Sequence, residues 1–359
     1  MNSTKTGRLK QALPRYIASS AGILLILSIS LAVLVVLAFL LSKTPGKTLS
    51  LFFVGPLKNT YYLGNMINSA IPLIFGGLGA SIAMRAGNIN LGGEGQIYAG
   101  ALVATVLTLA LAPLGIAGAI LALTAGAVVS GCVAALSGLL KTRWNTSELI
   151  TTFLVSNALM LITSYFITGP LLDPNTNLQS TRKIAESFRL PQIMPPSNLS
   201  AALFFALAAV LGVHLFLHRT RMGYELRLSG QNGFFGANLF ARYGGINTGW
   251  SMILSMFLSG LLYGLGGGMA IYGTYYATMK DFSSGMGWNG LAVALIARSR
   301  PAAVIPAAIF FSWIGSGARL AMQFSDVTFE ISSIVQSVVF FLVTSVVLQD
   351  AFKRKGAAK

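Results

Sequence analysis

Charge is what this 359-residue chain has least of: 9% of its residues are Asp, Glu, Lys or Arg, where a soluble domain carries about a quarter. Acids number nine, histidines two and cysteines one. The lone Cys132 lies in an apolar run, which excludes a disulfide framework and a thiolate metal site. His214 and His218 stand four residues apart at the end of another apolar run; that spacing can hold a metal, and interfacial side chains are the simpler reading. There is no HExxH, no GxxxxGK[ST], no nucleophile with its base and acid, and no carboxylate pair within an apolar run. Catalysis within such a chain has no residues to stand on, so an enzyme is excluded and no cofactor or metal is expected on it. The chain of buried acids or histidines that a proton-coupled carrier needs is missing as well, so any energy source belongs to a partner.

What is present is hydrocarbon, with 54% of residues hydrophobic. The 25 Lys and Arg leave a formal charge of +16, but they sit in short patches between apolar runs and not on a basic, aromatic-studded face, which excludes nucleic acid. Lipid is the surrounding this composition fits.

A helix needs about 20 apolar residues to cross the hydrocarbon core. Ten segments meet or approach that length: Ile17 to Leu41, Asn65 to Met84, Gly95 to Leu111, Leu114 to Leu140, Thr146 to Ile167, Leu199 to Phe216, Gly249 to Gly273, Gly285 to Ala297, Pro301 to Met322 and Phe329 to Leu348. The first is too long for a signal-peptide core and is followed by Lys43, not by a small-residue cleavage site, so it reads as a retained span. The eighth is short and glycine-rich, which predicts a broken or re-entrant helix. The expected fold is an all-α integral membrane protein of about ten transmembrane helices. Placing the N-terminus inside puts 17 Lys and Arg on the cytoplasmic side against eight outside, in accord with the positive-inside rule, so both termini are expected in the cytoplasm. The expected organisation is a basic N-terminus (1–16), a membrane domain (17–350) and a basic tail (351–359).

Two connections are long. Residues 171–198 fall outside and carry mixed charges and several prolines, as a cap over the outer mouth would. Residues 218–247 fall inside, where Tyr224 to Tyr243 can form an amphipathic helix on the membrane surface or a docking site for a partner. There is also an internal echo: Gly76-Gly77-Leu78-Gly79-Ala80 leads through a polar break to Gly95, and Gly264-Leu265-Gly266-Gly267-Gly268 leads through another to Gly290. The breaks face opposite sides, as in an inverted repeat, whose interface lines a path near the midplane. Gly/Ala-rich helices also look alike by composition alone.

The first break, Met84 to Gln96, is costly chemistry in an oily place and must reach water or lie in protein. Its glycines let the backbone leave and re-enter helix, and Asn88, Asn90, Glu94 and Gln96 can line a path. Alternatively it is a turn in which Arg85 ends one helix, Asn90 caps the next and Glu94 sits in its first turn; both readings can hold together. In Asn145-Thr146-Ser147-Glu148 any of the first three can cap the following helix. Asn157, deeper in that helix, calls for a helix-to-helix hydrogen bond, with substrate contact second.

Taken in order, several stretches resemble the membrane permease subunits of bacterial ABC importers for nucleosides, a branch of the group that also serves simple sugars and branched-chain amino acids. They are Asn90-Leu91-Gly92-Gly93-Glu94-Gly95-Gln96, Gly169-Pro170-Leu171-Leu172-Asp173-Pro174, Glu225-Leu226-Arg227 with Gly230-Gln231-Asn232, Gly290 to Arg298, and Met322-Gln323 with Glu330 and Gln336. The likeness covers nearly the whole chain after the first span. The stretch between Asn232 and Gly245-Ile246 is longer than usual, and Ser299-Arg300 replaces the usual polar pair before Pro301.

The resemblance implies a bacterial inner-membrane transport subunit that moves nucleosides, purine nucleosides foremost, by alternating access. ATP and Mg would be bound by a partner ATPase. It also implies a second permease, related or identical, and a substrate-binding protein or lipoprotein. The candidate substrate path is Asn88, Asn90, Glu94, Gln96, Phe153 as a stacking ring, Asn157, Trp288, Asn289 and Gln336; the candidate ATPase-coupling residues are Glu225, Arg227, Gly230 and Asn232. Sugar or branched-chain amino-acid import by the same architecture is the alternative, and a non-transport scaffold a more distant one.

Overall fold

The computed structural model describes residues 42–230 and 239–326, with isolated positions at 32, 35, 36, 38–40, 334, 337 and 338. It is mostly helical, with no strand among the described residues: α1 (Pro45–Phe53), α2 (Thr60–Arg85), α3 (Gly93–Ala110), α4 (Gly115–Trp144), α5 (Glu148–Thr168), α6 (Ala202–Arg219), α7 (Arg221–Ser229), α8 (Leu239–Tyr243), α9 (Thr248–Ala270), α10 (Met286–Ile296) and α11 (Pro301–Phe324). Six stretches in this set are long and apolar enough to cross a membrane: α2, Ala112–Trp144, α5, α6, Thr248–Tyr275 and α11. The eighth predicted segment becomes the 11-residue α10, about 16 Å long and able to cross only half of a core about 30 Å thick. Most of the first and tenth predicted segments, the terminal 1–16 and 351–359, and Asn232, Glu330 and Gln336 lie outside the described residues.

The chain forms two compact units. The first comprises Met1–Pro56 and Ile314–Lys359. Within it the Asp326 carboxylate accepts the Ser42 hydroxyl at 2.7 Å, the Lys43 backbone N–H at 2.5 Å and the Thr44 hydroxyl at 3.2 Å. These donors, Ser42 foremost, hold the Asp326 carboxyl below the usual carboxylate range.

The second unit is Leu57–Trp313. Its centre is α2, in which every residue from Ala70 to Ala83 is buried, as expected of a helix apolar all round. Around it α4, α5 and α6 present large apolar side chains outward, among them Ile116, Leu161 and Phe204. Gly76 meets Gly290, and the Arg85 Nε donates to the Ser299 carbonyl at 2.8 Å; both pairs are 214 positions apart, so α2 and α10 run parallel in register. Asn88 bonds Ser255, and Gly100 meets Gly264, so α3 runs alongside α9 in the same direction. The starts of α3 and α10 meet about 14 Å along α2 from its Arg85 end, deep within the bundle.

The 171–198 connection is ordered and pairs with the stretch after α9. Thr181 N–H donates to Thr278 O, Ile184 N–H to Tyr276 O and Leu190 N–H to Tyr272 O, each within 3.0 Å, and the Arg189 guanidinium lies 4.7 Å from the centre of the Tyr276 ring.

Three local expectations are corrected. Ser147 occupies the N-cap of α5 without a capping hydrogen bond, while Asn145 ends α4 in a left-handed turn at φ 51°. Gly92, not Asn90, is the N-cap of α3. Tyr224 to Tyr243 is not one continuous helix: α7 ends at Ser229 and α8 begins at Leu239.

Candidate functional site

The polar stretch after Arg85 turns at Gly87, with φ 78°, and its amide and carboxylate side chains are satisfied by protein. Asn88 Nδ2 donates to Ser255 Oγ at 2.9 Å, while its Oδ1 accepts Lys141 Nζ at 3.4 Å. Asn90 and Gln96 exchange amide bonds: Asn90 Nδ2 donates to Gln96 Oε1 at 2.8 Å, and Gln96 Nε2 donates to Asn90 Oδ1 at 3.1 Å. Asn90 also donates to Ser259 Oγ and accepts the Gly92 N–H. From α5, Thr152 Oγ1 accepts the Leu91 N–H and Ser156 Oγ the Gly95 N–H; from α4, Ser130 Oγ donates to the Gln96 carbonyl. Asn88, Asn90 and Gln96 are each no more than 2% exposed, and their burial is made tolerable by one another and by partners on two neighbouring helices, α4 and α9.

Glu94, in the first turn of α3, turns its carboxylate to the start of α10. Oε1 accepts the Gly285 N–H at 2.8 Å and Oε2 the Gly287 N–H at 2.7 Å. Two amides that no helical carbonyl can reach are satisfied by a negative charge at the positive end of the helix dipole. This demands close approach: a Cβ on Gly287 would stand 2.2 Å from the Glu94 nitrogen.

Beside this junction the unit carries an exposed aromatic pair, Phe153 of α5 and Trp288 of α10, 43% and 40% exposed, with ring centres 6.3 Å apart and planes at 60°. Asn157 follows one turn along α5. It too is exposed, and its Nδ2 donates to the Phe153 carbonyl at 2.9 Å. The interhelical bond expected of Asn157 is therefore not made; its amide folds back on its own helix. Asn289, next to Trp288, is half-buried. The structure thus separates the described path residues into a buried, hydrogen-bonded set on the α2–α3 turn and the first turn of α3, and a second set on α5 and α10 in which Phe153, Asn157 and Trp288 are exposed and Asn289 is half-buried.

A family described as "Branched-chain amino acid transport system / permease component" matches residues 62–344. The chain belongs to this permease family. "Probable riboflavin import permease protein RfuC" of Treponema pallidum is 33% identical over 332 residues, 92% of this chain and 86% of the relative. "Guanosine ABC transporter permease protein NupP" of Bacillus subtilis is 30% identical over 307 residues, 83% of this chain and 86% of that one. "Glucose ABC transporter permease protein TsgB13" of Haloferax volcanii is 26% identical over 356 residues, 96% and 91% of the two chains. No solved structure matches. With six helices able to cross a membrane among the described residues, this permease is a multi-pass membrane protein.

The permease's α7 carries two of the predicted coupling residues, Glu225 and Arg227, and Gly230 caps its end. Glu225 accepts Arg221 Nε at 3.0 Å on the exposed face. Arg227 Nε is buried and has no acceptor among the described residues. Gly230 is seated on the turn that opens the polar stretch: a Cβ there would stand 2.2 Å from the Arg85 carbonyl oxygen and 2.6 Å from the Gly87 nitrogen. The end of α7 and the root of the Asn88 to Gln96 segment therefore abut backbone to backbone.

Sequence reasoning passed over Ser130, Lys141, Ser255, Ser259 and Tyr263. A signal existed in the spacing of Ser251, Ser255 and Ser259, which lays one hydroxyl per turn along a single face of α9.

Proposed function

We propose that this permease is the transmembrane subunit of a bacterial ABC importer for nucleosides, purine nucleosides foremost. Alternating access would be driven by ATP hydrolysis on a separate subunit. The observation that carries the reading is the exposed Phe153–Trp288 pair with Asn157 and Asn289 beside it: ring faces suit a flat base, and amides suit ribose hydroxyls. The nearby carboxylate, Glu94, is committed to Gly285 and Gly287, so this surface lacks the ion-pairing groups that a zwitterionic amino acid calls for. Relatives named for riboflavin and for guanosine point the same way, because both solutes join a heteroaromatic ring to a hydroxylated chain or sugar. A relative named for glucose keeps simple sugars as the second reading.

In this proposal ten helices span the cytoplasmic membrane with both termini inside. The 171–198 connection faces a substrate-binding protein, and a second permease, identical or related, covers the exposed α5–α10 face. Glu225, Arg227, Gly230 and Asn232 are the residues proposed to couple the permease to the ATPase. The opposed starts of α3 and α10 support an inverted repeat. The test is ATP turnover of the reconstituted complex with guanosine, adenosine, riboflavin, glucose, ribose or leucine delivered by the binding protein. Nucleosides should stimulate turnover most; stimulation by glucose or leucine and not by nucleosides would sink the assignment.

A further inference from the structure

Tyr263 of α9 is fully buried, and its hydroxyl has no hydrogen-bond partner among the described residues. An unpaired phenol hydroxyl in a close-packed interior is a cost that phenylalanine would avoid at nearly the same volume, so its presence calls for a use. The ring fills space left open by Gly76, Gly79 and Gly93. A Cβ on Gly93 would stand 2.5 Å from its Cε1 and 2.6 Å from its Cζ. Cζ, which bears the hydroxyl, thus abuts the residue just before Glu94. Both oxygens of the Glu94 carboxylate are taken, one by Gly285 and one by Gly287. A strong donor therefore stands idle near a carboxylate whose bonds, among the described residues, both run to the start of α10.

We propose that Tyr263 is a positioning residue of the transport cycle: its hydroxyl is held for Glu94 and donates to that carboxylate when the start of α10 moves off it. One neutral donor, the phenol, takes the place of the two backbone amides that α10 withdraws, and no proton or covalent bond changes hands. Buried in protein, Glu94 cannot be left without a donor, so α10 can leave only if a substitute stands close by. The helix that has to move is short, and left-handed backbone stands at both its ends: Asp281, Ser284 and Gly285 before it, Arg298 and Ser299 after it. Such conformations collect where a segment has more than one stable setting. The permease would then have two states, one with Glu94 on α10 and Tyr263 idle, the other with Glu94 on Tyr263.

The proposal rests on the import reading for its cycle, so its test is read on ATP turnover without added solute. The complex of permease, ATPase and binding protein would be reconstituted with wild-type chain, Tyr263→Phe, Glu94→Gln and the double variant. Tyr263→Phe keeps the ring and its packing, so the thermal midpoint should hold or rise. Turnover should fall about tenfold, because a hydrogen bond to a charged group is lost in one state and an unpaired hydroxyl is relieved in the other. In the Glu94→Gln background the same substitution should cost less than about twofold, since the ion it acts through is gone. Unchanged turnover in Tyr263→Phe, an equal fold-loss in both backgrounds, or a fall in thermal midpoint that accompanies the turnover loss would overturn the proposal. A complex that hydrolyses ATP but responds to no nucleoside would sink the substrate assignment alone and leave this measurement readable.

Discussion

The Gly287 N–H donates to Glu94 Oε2 at 2.7 Å, joining the second residue of α10 to the second residue of α3 over 193 positions of sequence. A side chain at the start of one half-helix thus completes the start of another. Glu94→Ala would leave the Gly285 and Gly287 amides without acceptors and should destabilise the permease by about 3 kcal/mol, whereas Glu94→Gln, which retains one acceptor oxygen, should cost about half as much. Thermal unfolding of the purified complex measures both, and equal losses would show that the carboxylate's two bonds do not act together.

Glycine at position 287 is a matter of room. A methyl group there would meet the Glu94 nitrogen at 2.2 Å and the Gly93 carbonyl carbon at 2.5 Å, both backbone atoms that cannot swing aside. Gly287→Ala should therefore cost about 3 kcal/mol through forced separation of α3 and α10. Gly212 in α6 has nothing within 4 Å of its Cβ position, and Gly212→Ala should be neutral or stabilising by up to about 1 kcal/mol from helix propensity alone. Comparable losses at the two positions would mean that crowding is not what keeps glycine at 287.

The helices were legible in the sequence because hydrocarbon length and apolar runs report directly on spans: Asn65 to Met84 falls within α2, Thr146 to Ile167 overlaps α5 closely, and the short eighth segment is the half-helix α10. The polar stretch was legible as a place of cost, and its resolution was not. Spacing shows that Asn90 and Gln96 are six residues apart, but nothing local says that they face one another, or that Ser259, 169 positions away, completes their set. Glu94 reads as an ordinary first-turn acid of its own helix, a role it fills while its oxygens serve another. Tyr263 gave no signal at all, because an aromatic in a glycine-rich helix has the pattern of core packing, and its idle hydroxyl is visible only in three dimensions.

Asp326 offers a prediction in pH. Its carboxyl is held below its ordinary value of 3.8, chiefly by the Ser42 hydroxyl, so the stabilisation is present above about pH 4 and is lost as pH falls through the lowered value. Asp326→Asn should have a lower thermal midpoint than wild type at pH 7, and the gap should close as the pH is taken toward 3. A gap that stays constant over that range would show that the charge of Asp326 plays no part.

Lys141 and Glu148 close the ends of α4 and α5 with an ion pair of 2.6 Å, their side chains only 19% and 9% exposed. Lys141 also reaches Asn88 Oδ1, so the pair braces the polar stretch as well as the turn between the helices. Removing one member of a poorly hydrated pair strands the other: Lys141→Met should cost about 3 kcal/mol, much of it the penalty of an uncompensated Glu148. In Glu148→Gln the charge is gone and that penalty with it, so adding Lys141→Met to Glu148→Gln should cost markedly less than Lys141→Met alone, a coupling of about 1–2 kcal/mol in a double-mutant cycle. Because Asn88 loses its lysine in both backgrounds, that part of the loss should remain. Strictly additive single losses would mean that water or headgroups already screen the pair, and that the brace on Asn88 is the whole of what Lys141 contributes.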